Sequence, residues 1–339
     1  MHMADALVLP AVAGVMSACS MGAAGFSVRK IKKEDDEKKI PVMGVMGAFV
    51  FAAQMINFTI PGTGSSGHLC GGMMLTALLG PFKGFLTMIG VLLIQCLIFA
   101  DGGLMALGCN VWNMAFYGCF LGAFIWKSFM KSGVDKKKIL IASLIGCMVT
   151  LQFGAFSVVL ETYASGVTEL PFMAFLSLMQ PIHLAIGAVE GLITSVVLVF
   201  IYQTRPELFW GIGDSLAKKE SKHSKKVIPI LLITTVILAG GLSFFASSKP
   251  DGLEWSIEKL TGSTELSNDE TTAETIQNHT AVFPDYGLKN KDMAIGTSIS
   301  GVIGAVIVLA FCMGIAWVFR ICIKQKDRKQ AEKVYEQNR

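Results

Sequence analysis

Met1, His2 and His68 carry nitrogen donors from which a transition-metal site can be built. A histidine at position 2 offers three nitrogens in a row: the terminal amine, its own backbone amide nitrogen and its imidazole, which together close a five- and a six-membered chelate ring. One further imidazole completes a planar set of four nitrogens, which Ni(II) and Cu(II) favour over octahedral oxygen sites. His68 lies in the Gly- and Ser-rich stretch 61–72 and is the candidate fourth donor. The sequence therefore predicts a metal site with Met1, His2 and His68 as ligands.

The composition of the chain is that of a polytopic membrane protein. Of 339 residues, 53% are hydrophobic, and the mean hydropathy is +0.57, which is too apolar for an ordinary soluble domain. The eight cysteines form no CxxC pair, so neither a disulfide framework nor a zinc ribbon is indicated. The partner that this composition requires is the lipid bilayer, and no nucleic-acid partner is expected.

Nine apolar segments predict an all-α fold of about nine transmembrane helices, seven before a basic linker and two after it. A membrane span takes roughly 20 apolar residues. The third segment has only a dozen residues before Gly80-Pro81, so we expect the Gly/Ser-rich stretch before it to dip into the membrane as a re-entrant loop. The segments are 6–28, 41–57, 68–79, 85–100, 104–126, 139–160, 172–202, 227–246 and 293–323.

The first segment is expected to stay on the protein and not to be removed as a secretory leader. No Lys or Arg precedes it, and the basic cluster 29–39 follows it. Retention is essential to the predicted site, because a removed leader would take Met1 and His2 with it. His2 is too large for ordinary removal of the initiator methionine, so Met1 is expected to remain with a free amine.

Basic residues predict the orientation of the chain in the membrane. With the N-terminus outside and the C-terminus cytoplasmic, the inner regions hold 25 of the 29 Lys and Arg residues, a strong positive-inside bias. The predicted units are a metal-binding module over 1–204, a cytoplasmic linker over 205–226 and a two-helix module over 227–339. The outer loop 247–292 of the last module carries nine Asp and Glu against four Lys and either concentrates cations weakly or is simply solvated.

Several motifs resemble one family. The sequence is similar to the cobalt/nickel substrate-binding membrane component of energy-coupling factor (ECF) transporters, the CbiM/NikM family, fused to the small CbiN/NikN component. The matching stretches are Met1-His2, Ile60-Pro61-Gly62, Gly67-His68-Leu69, Gly71-Gly72, Leu79-Gly80-Pro81, Phe99 to Leu104, Gly108, Asn110 to Met114, His183 to Gly187, Glu190-Gly191 and, for the small component, Pro250 to Glu254.

The resemblance implies a transporter subunit of the prokaryotic cell membrane that takes Ni²⁺ or Co²⁺ as its transported substrate and has no bound cofactor. It also implies three separate partner subunits: a T-type transmembrane component (CbiQ/NikQ-like) and two cytoplasmic ABC ATPases (CbiO/NikO-like). The chain has no G-x-x-x-x-G-K-[ST] stretch, so it is not expected to hydrolyse ATP itself. His68 matches the ligand position of the family.

Four polar residues in apolar segments are candidates for supporting the ligands or lining a release path. Asn110 and Asn113 either orient the ligand loops or bond between helices. His183 has either a structural role or a role near the metal. Glu190 is an intramembrane carboxylate and hence a functional candidate; alternatively it pairs with His183, two helical turns away on the same face.

A stripe of small residues along the first segment, Gly14, Ala18 and Gly22, allows close helix packing, either inside the chain or with the T-type partner. Two other functions stay open at this point. A metal-ion channel or ion-coupled secondary transporter would want charged residues in several spans, of which there are few. A membrane enzyme would need a nucleophile, for which Ser65 or Ser66 near His68 is a weak candidate.

Overall fold

The computed structural model describes residues 1–32, 39–167, 170–211, 227–264, 266, 272–287 and 293–337, and these are mostly helical. The α-helices are α1 (Pro10–Ile31), α2 (Ile40–Gln54), α3 (Gly72–Phe99), α4 (Leu107–Asn110, continuing as a π-helix over Val111–Leu121 and ending as Gly122–Met130), α5 (Lys136–Ser165), α6 (Phe172–Thr204), α7 (Val227–Gly240), α8 (Gly252–Thr261), α9 (Thr272–Thr280) and α10 (Met293–Gln337).

Short elements connect these helices. Among the described residues, 3₁₀ turns occupy Asp5–Leu7, Pro206–Leu208, Leu242–Phe245 and Pro284–Tyr286, and the antiparallel strands β1 (Phe58–Thr59) and β2 (Ser66–Gly67) pair in the stretch before α3. The predicted basic run 218–226 lies outside the described residues.

The helices have the length and composition of membrane spans. Within the described residues, five helical stretches are long and apolar enough to cross a membrane, and α2 and α7 are shorter apolar helices. The five are α1, α3, α5, α6 and Gly296–Val318 of α10. The prediction of an all-α, multi-pass membrane protein is confirmed. The number of nine spans and the orientation stay predictions.

Helix α3 is a hairpin of two limbs that meet at Gly80. This glycine has φ +79° and ψ 172°, outside the helical region, and a left-handed φ of this kind suits only glycine well. A Cβ built on Gly84 would lie 3.3 Å from the carbonyl carbon of Leu75, whereas nine residues along a straight helix would separate them by about 14 Å. The chain therefore turns back at Gly80-Pro81, as the division into two apolar segments predicts.

The two modules share one apolar core. Helix α10 of the second module packs along α2, where a Cβ on Gly47 would touch Cys312 at 3.0 Å. Elsewhere on α10, Gly304 lies directly against the rings of Phe51 and Phe99. Because only a glycine fits beneath these rings, the second module is seated at a fixed depth against the first.

Helix α1 packs on one face only. Ser17 contacts Gly108 of α4, and Ser20 Oγ donates to the Gly108 carbonyl at 2.7 Å. On the opposite face, Gly14, Ala18 and Gly22 are exposed, and no described atom lies within 4 Å of a Cβ built on either glycine. The small-residue stripe is therefore not used for packing among the described residues.

Candidate metal site

The N-terminal segment enters the protein and is held there by main-chain hydrogen bonds. Met3 is fully buried, and the Asn110 side chain accepts from its N–H at 2.7 Å and donates to its carbonyl at 3.1 Å. The N–H of Gly103 also donates to that carbonyl, at 2.8 Å. A side-chain amide that pairs with both the N–H and the carbonyl of one residue makes the same two hydrogen bonds as a neighbouring β-strand. This clamp fixes the direction in which Met1 and His2 leave Met3.

A glycine turn makes room for the same segment. Gly102 has φ +82°, and a Cβ there would lie 2.8 Å from Asn110 Nδ2 and 3.3 Å from His2 Cβ. Asp5 is buried and accepts from the N–H of Ala106 at 2.9 Å. The stretch from Asp101 to Gly103, noted in the sequence only as a motif, thus forms the cradle of the N-terminus.

The terminal amine of Met1 lies beside His68, with Nε2 of the ring 3.2 Å away. His68 Nδ1 is 3.0 Å from the Leu69 carbonyl. A carbonyl only accepts, so Nδ1 carries the proton and Nε2 presents its lone pair to the amine. Two nitrogens at right angles around a metal, each about 2 Å from it, are about 2.9 Å apart. The observed separation is close to that of neighbouring ligands.

His2 completes the group, although its ring nitrogens have other partners. The rings of His2 and His68 stack with centroids 5.3 Å apart and planes inclined by 21°. His2 Nδ1 lies 3.2 Å from Asp101 Oδ1, and Nε2 lies 3.3 Å from Gln95 Oε1. Chelation through Nδ1 therefore requires the ring to leave Asp101. Burial lowers the pKa of His2 to about 4, against the opposing effect of Asp101, so the ring is neutral at neutral pH.

The second module contributes a carboxylate to this site. Asp251 Oδ2 accepts from the Met1 ammonium and lies 3.8 Å from His68 Nε2. Burial alone would raise the pKa of Asp251, but the Met1 ammonium outweighs burial and holds the pKa well below its usual range. The charge of the amine is therefore balanced by a residue 250 positions away.

Asp251 reaches the site because its loop is tied to the stretch before α3. The N–H of Ser66 donates to the Pro250 carbonyl at 2.8 Å, and Trp255 Nε1 donates to the Thr63 carbonyl at 3.0 Å. Asp251 also caps α8, accepting from the N–H of Leu253 and Glu254, while Glu254 accepts from the N–H of Asp251. This capping box fixes the carboxylate with one oxygen on the helix and the other on the amine.

Glu190 supports the loop that carries His68. Its two oxygens accept from the N–H groups of Cys70 and Gly71, at 3.0 and 2.8 Å. The alternative that it pairs with His183 is wrong: His183 Nδ1 bonds the Met179 carbonyl at 2.8 Å, and Nε2 has no hydrogen-bond partner among the described residues. Glu190 thus fixes the backbone two to three residues after the predicted ligand.

Asn113 bonds between helices and also reaches the N-terminal segment. Its Nδ2 donates to Glu161 Oε2 of α5 at 2.7 Å and lies 3.6 Å from Met3 Sδ. The structure thus places Asn110 directly on the N-terminal backbone and Asn113 one layer behind it.

A small cavity joins these parts. It is lined by Met1 and Asp251, by Gly67, His68 and Cys70 of the loop before α3, and by Met114, Leu151, His183, Ile186 and Gly252. Among the residues that the structure describes, no three His, Cys, Asp or Glu side chains are placed to hold a metal together.

Asp251, Asp101 and Gln95 were missed as site residues by the sequence reasoning. The signal for Asp251 was present, since the Pro250–Glu254 motif marks the second module, but nothing in the sequence shows that this motif docks beside Met1. For Asp101, the stretch Phe99 to Leu104 was noted as a motif, which does not show what it encloses.

A multi-pass helical fold that gathers amine and imidazole nitrogens around a buried cavity is the arrangement of a membrane protein that handles transition-metal ions. Comparison with known proteins agrees. Residues 2–208 match the family model CbiM, described as the cobalt uptake substrate-specific transmembrane region, and residues 225–321 match the PDGLE domain. The chain belongs to the CbiM family and carries a PDGLE domain after it.

Relatives with the same two-part organisation match along most of their length. The chain is 33% identical over 316 residues to the "Putative fused nickel transport protein NikMN" of Archaeoglobus fulgidus, covering 91% of this chain and 96% of that one. It is 25% identical over 329 residues to the "Probable fused nickel transport protein LarMN" of Lactiplantibacillus plantarum, covering 93% and 97%.

A solved structure described as a truncated transition metal transporter superposes with a TM-score of 0.53 at 29% identity, covering 59% of this chain and 98% of that one. The chain is accordingly a component of a transition-metal transport system.

Proposed function

We propose that this chain is the substrate-binding membrane subunit of an ATP-driven ECF-type importer that captures Ni²⁺ or Co²⁺. The metal is held by the Met1 amine, the His2 amide nitrogen and imidazole, and the His68 imidazole. The observation that carries this proposal is the approach of the Met1 amine to within 3.2 Å of His68 Nε2, with the His2 ring stacked beside it.

The neighbouring residues support the proposed ligands. Asn110 holds Met3, Glu190 holds the backbone after His68, and Asp251 holds the amine before the metal arrives. A metal displaces the proton of the amine and that of the amide. Two protons leave for each dication, so the site keeps its net charge and Asp251 balances it in both states.

The energy for release comes from other subunits. The family belongs to cobalt and nickel transport systems, and the resemblance to ECF transporters implies a T-type membrane component with two cytoplasmic ATPases. In the proposed orientation the site faces outward and the ATPases lie on the basic, cytoplasmic side. The exposed stripe of α1, Gly14, Ala18 and Gly22, is the proposed contact of the T-type component.

The test is metal analysis and absorption spectroscopy of the purified full chain with a native, untagged N-terminus. The proposal expects one nickel ion per chain with the absorption of a planar, low-spin nitrogen environment. An octahedral spectrum would remove the amine and amide from the ligand set. The partners are tested by co-purification with the T-type and ATPase subunits and by ATP-dependent uptake, neither of which a channel or an ion-coupled carrier would show.

A further inference from the structure

His183 lines the cavity from α6 but has no place in the four-nitrogen set. Its side chain is 1% exposed, and its Nε2 has no hydrogen-bond partner among the described residues. A buried polar atom without a partner is costly and needs an explanation.

The protonation of the His183 ring is fixed by its helix. Nδ1 lies 2.8 Å from the Met179 carbonyl, and a carbonyl only accepts, so Nδ1 carries the proton and Nε2 carries the free lone pair. Metal-binding histidines show this pattern, donating one ring N–H to a carbonyl and offering the other nitrogen to the metal. His68 has the same arrangement with Leu69.

The free nitrogen lies beside the proposed metal position. A Cβ built on Gly252 would lie 3.3 Å from His183 Nε2, and the preceding residue, Asp251, holds the Met1 amine. His68, His183 and Met1 all line the same cavity. The lone pair of His183 therefore borders the space next to the planar set without belonging to it.

Two residues with sulfur-containing side chains line the same cavity. Cys70, two residues after His68, and Met114 both line the cavity, and the Cys70 thiol lies 3.5 Å from the Met114 carbonyl. Imidazole and thiolate or thioether together suit late first-row metals. Hard cations such as Mg²⁺ would find no oxygen-rich cage among the described residues that line this cavity.

We propose that His183 Nε2, with Cys70 Sγ, forms a second, weaker metal position that accepts the ion by ligand exchange when it leaves the planar nitrogen set. The inference rests on the proposed capture of Ni²⁺ or Co²⁺ and extends it from one position to two. In the exchange, bonds from the metal to the Met1, His2 and His68 nitrogens break, and bonds to His183 and Cys70 form. The amine and the amide together regain two protons in this exchange: one is the proton that the Cys70 thiol loses as its sulfur binds the metal, and the other comes from water.

The test uses Co²⁺ titrations of the purified full chain in a His68→Ala background, in which the planar set is incomplete. The second position predicts residual Co²⁺ binding that weakens about tenfold or more when His183→Gln is added. Adding Cys70→Ser should remove a thiolate-to-cobalt charge-transfer band. Equal affinity and equal spectra for the single and double variants would overturn the proposal.

His279 provides a matched control, because its Nδ1 also bonds the carbonyl four residues earlier, that of Thr275, but its helix lies outside the cavity. His279→Gln should leave the residual binding unchanged. His183→Gln alone should keep the planar nickel spectrum of the native chain, which shows that it is folded, while uptake by the complete transporter falls about tenfold. Uptake at the native level would contradict the proposal. Failure of the four-nitrogen proposal is distinguishable, since it appears in the spectrum of the native chain.

Discussion

At the scale of single residues, the position of one proton decides which nitrogen of His68 can bind a metal. The Leu69 carbonyl keeps the proton on Nδ1 and leaves Nε2 facing the Met1 amine. We expect His68→Ala to abolish tight nickel binding while the protein still inserts and folds, because His68 lies in the loop before α3. Equilibrium dialysis with radioactive nickel measures the loss. Tight binding by this variant would rule out His68 as a ligand.

The N-terminal amine is open to an equally direct test. One residue added before Met1 places histidine at position 3, where an amine, two amides and an imidazole fill all four planar positions without His68. A longer tag removes the nearby amine altogether and should weaken nickel binding as His2→Ala does. Full affinity in a tagged protein would show that the amine and amide are not ligands.

Burial makes His2 insensitive to pH over the physiological range. Its pKa is lowered to about 4 in the folded protein from the ordinary histidine value of 6.5, so the unfolded chain binds this proton more tightly than the folded one. The contribution of His2 to the free energy of unfolding is thus fully present above pH 6.5 and is lost as pH falls toward 4.

Proton competition from His2 should weaken metal binding only near the lower end of that window. Histidine NMR of the metal-free protein, with His2→Ala for assignment, checks the titration midpoint. A midpoint near the ordinary histidine value would contradict the burial of this ring.

At the scale of elements, α6 organises the loop that follows His68. Glu190 accepts from two consecutive N–H groups, which a neutral amide with a single acceptor oxygen satisfies less well. We expect Glu190→Gln to weaken nickel binding about tenfold with little change in helix content. Isothermal titration calorimetry and circular dichroism measure the two effects.

The control for this variant is Ser195→Ala on the same helix, because Ser195 Oγ bonds only the Leu192 carbonyl of its own helix among the described contacts. Unchanged affinity in Glu190→Gln, or an equal loss in the Ser195 variant, would show that the loop does not depend on this carboxylate.

The sequence predicts elements better than contacts between them. The period and length of apolar segments are local properties, so the helices and the turn at Gly80 follow from composition and from glycine and proline. The hydrogen-bond partner of Glu190 does not follow from the sequence. Helix periodicity points to His183 on the same helix face, whereas the actual partner, the Cys70–Gly71 backbone, belongs to another element. The three predicted ligands do come together. The carboxylate that faces them is 250 residues from Met1 and could be found only from the fold.

At the scale of the whole molecule, the second module contributes Asp251 and Gly252 to the wall of the cavity. We expect a chain without residues 227–339 to keep the planar nickel spectrum but to release the metal about tenfold faster, because Asp251 and Gly252 no longer wall the cavity. Stopped-flow displacement by a chelator measures the release rate.

Asp251→Asn in the full chain separates closure from loss of the module. The substitution removes the charge next to the amine and keeps an oxygen to cap α8. The metal release rate of this variant should therefore lie between those of the native chain and the truncated chain. A truncated chain that lacks the planar spectrum would mean that the Pro250–Glu254 loop is needed to build the site.

Hydrogen bonds from Ser66 to Pro250 and from Trp255 to Thr63 join the two modules. Both modules belong to one polypeptide chain. Tethering makes their meeting an intramolecular event, whose occupancy does not depend on the concentration of a second molecule. If the chain were cut between residues 211 and 227, occupancy of the same contact would depend on how much of each half the membrane contained. Fusion therefore makes closure of the site independent of expression level.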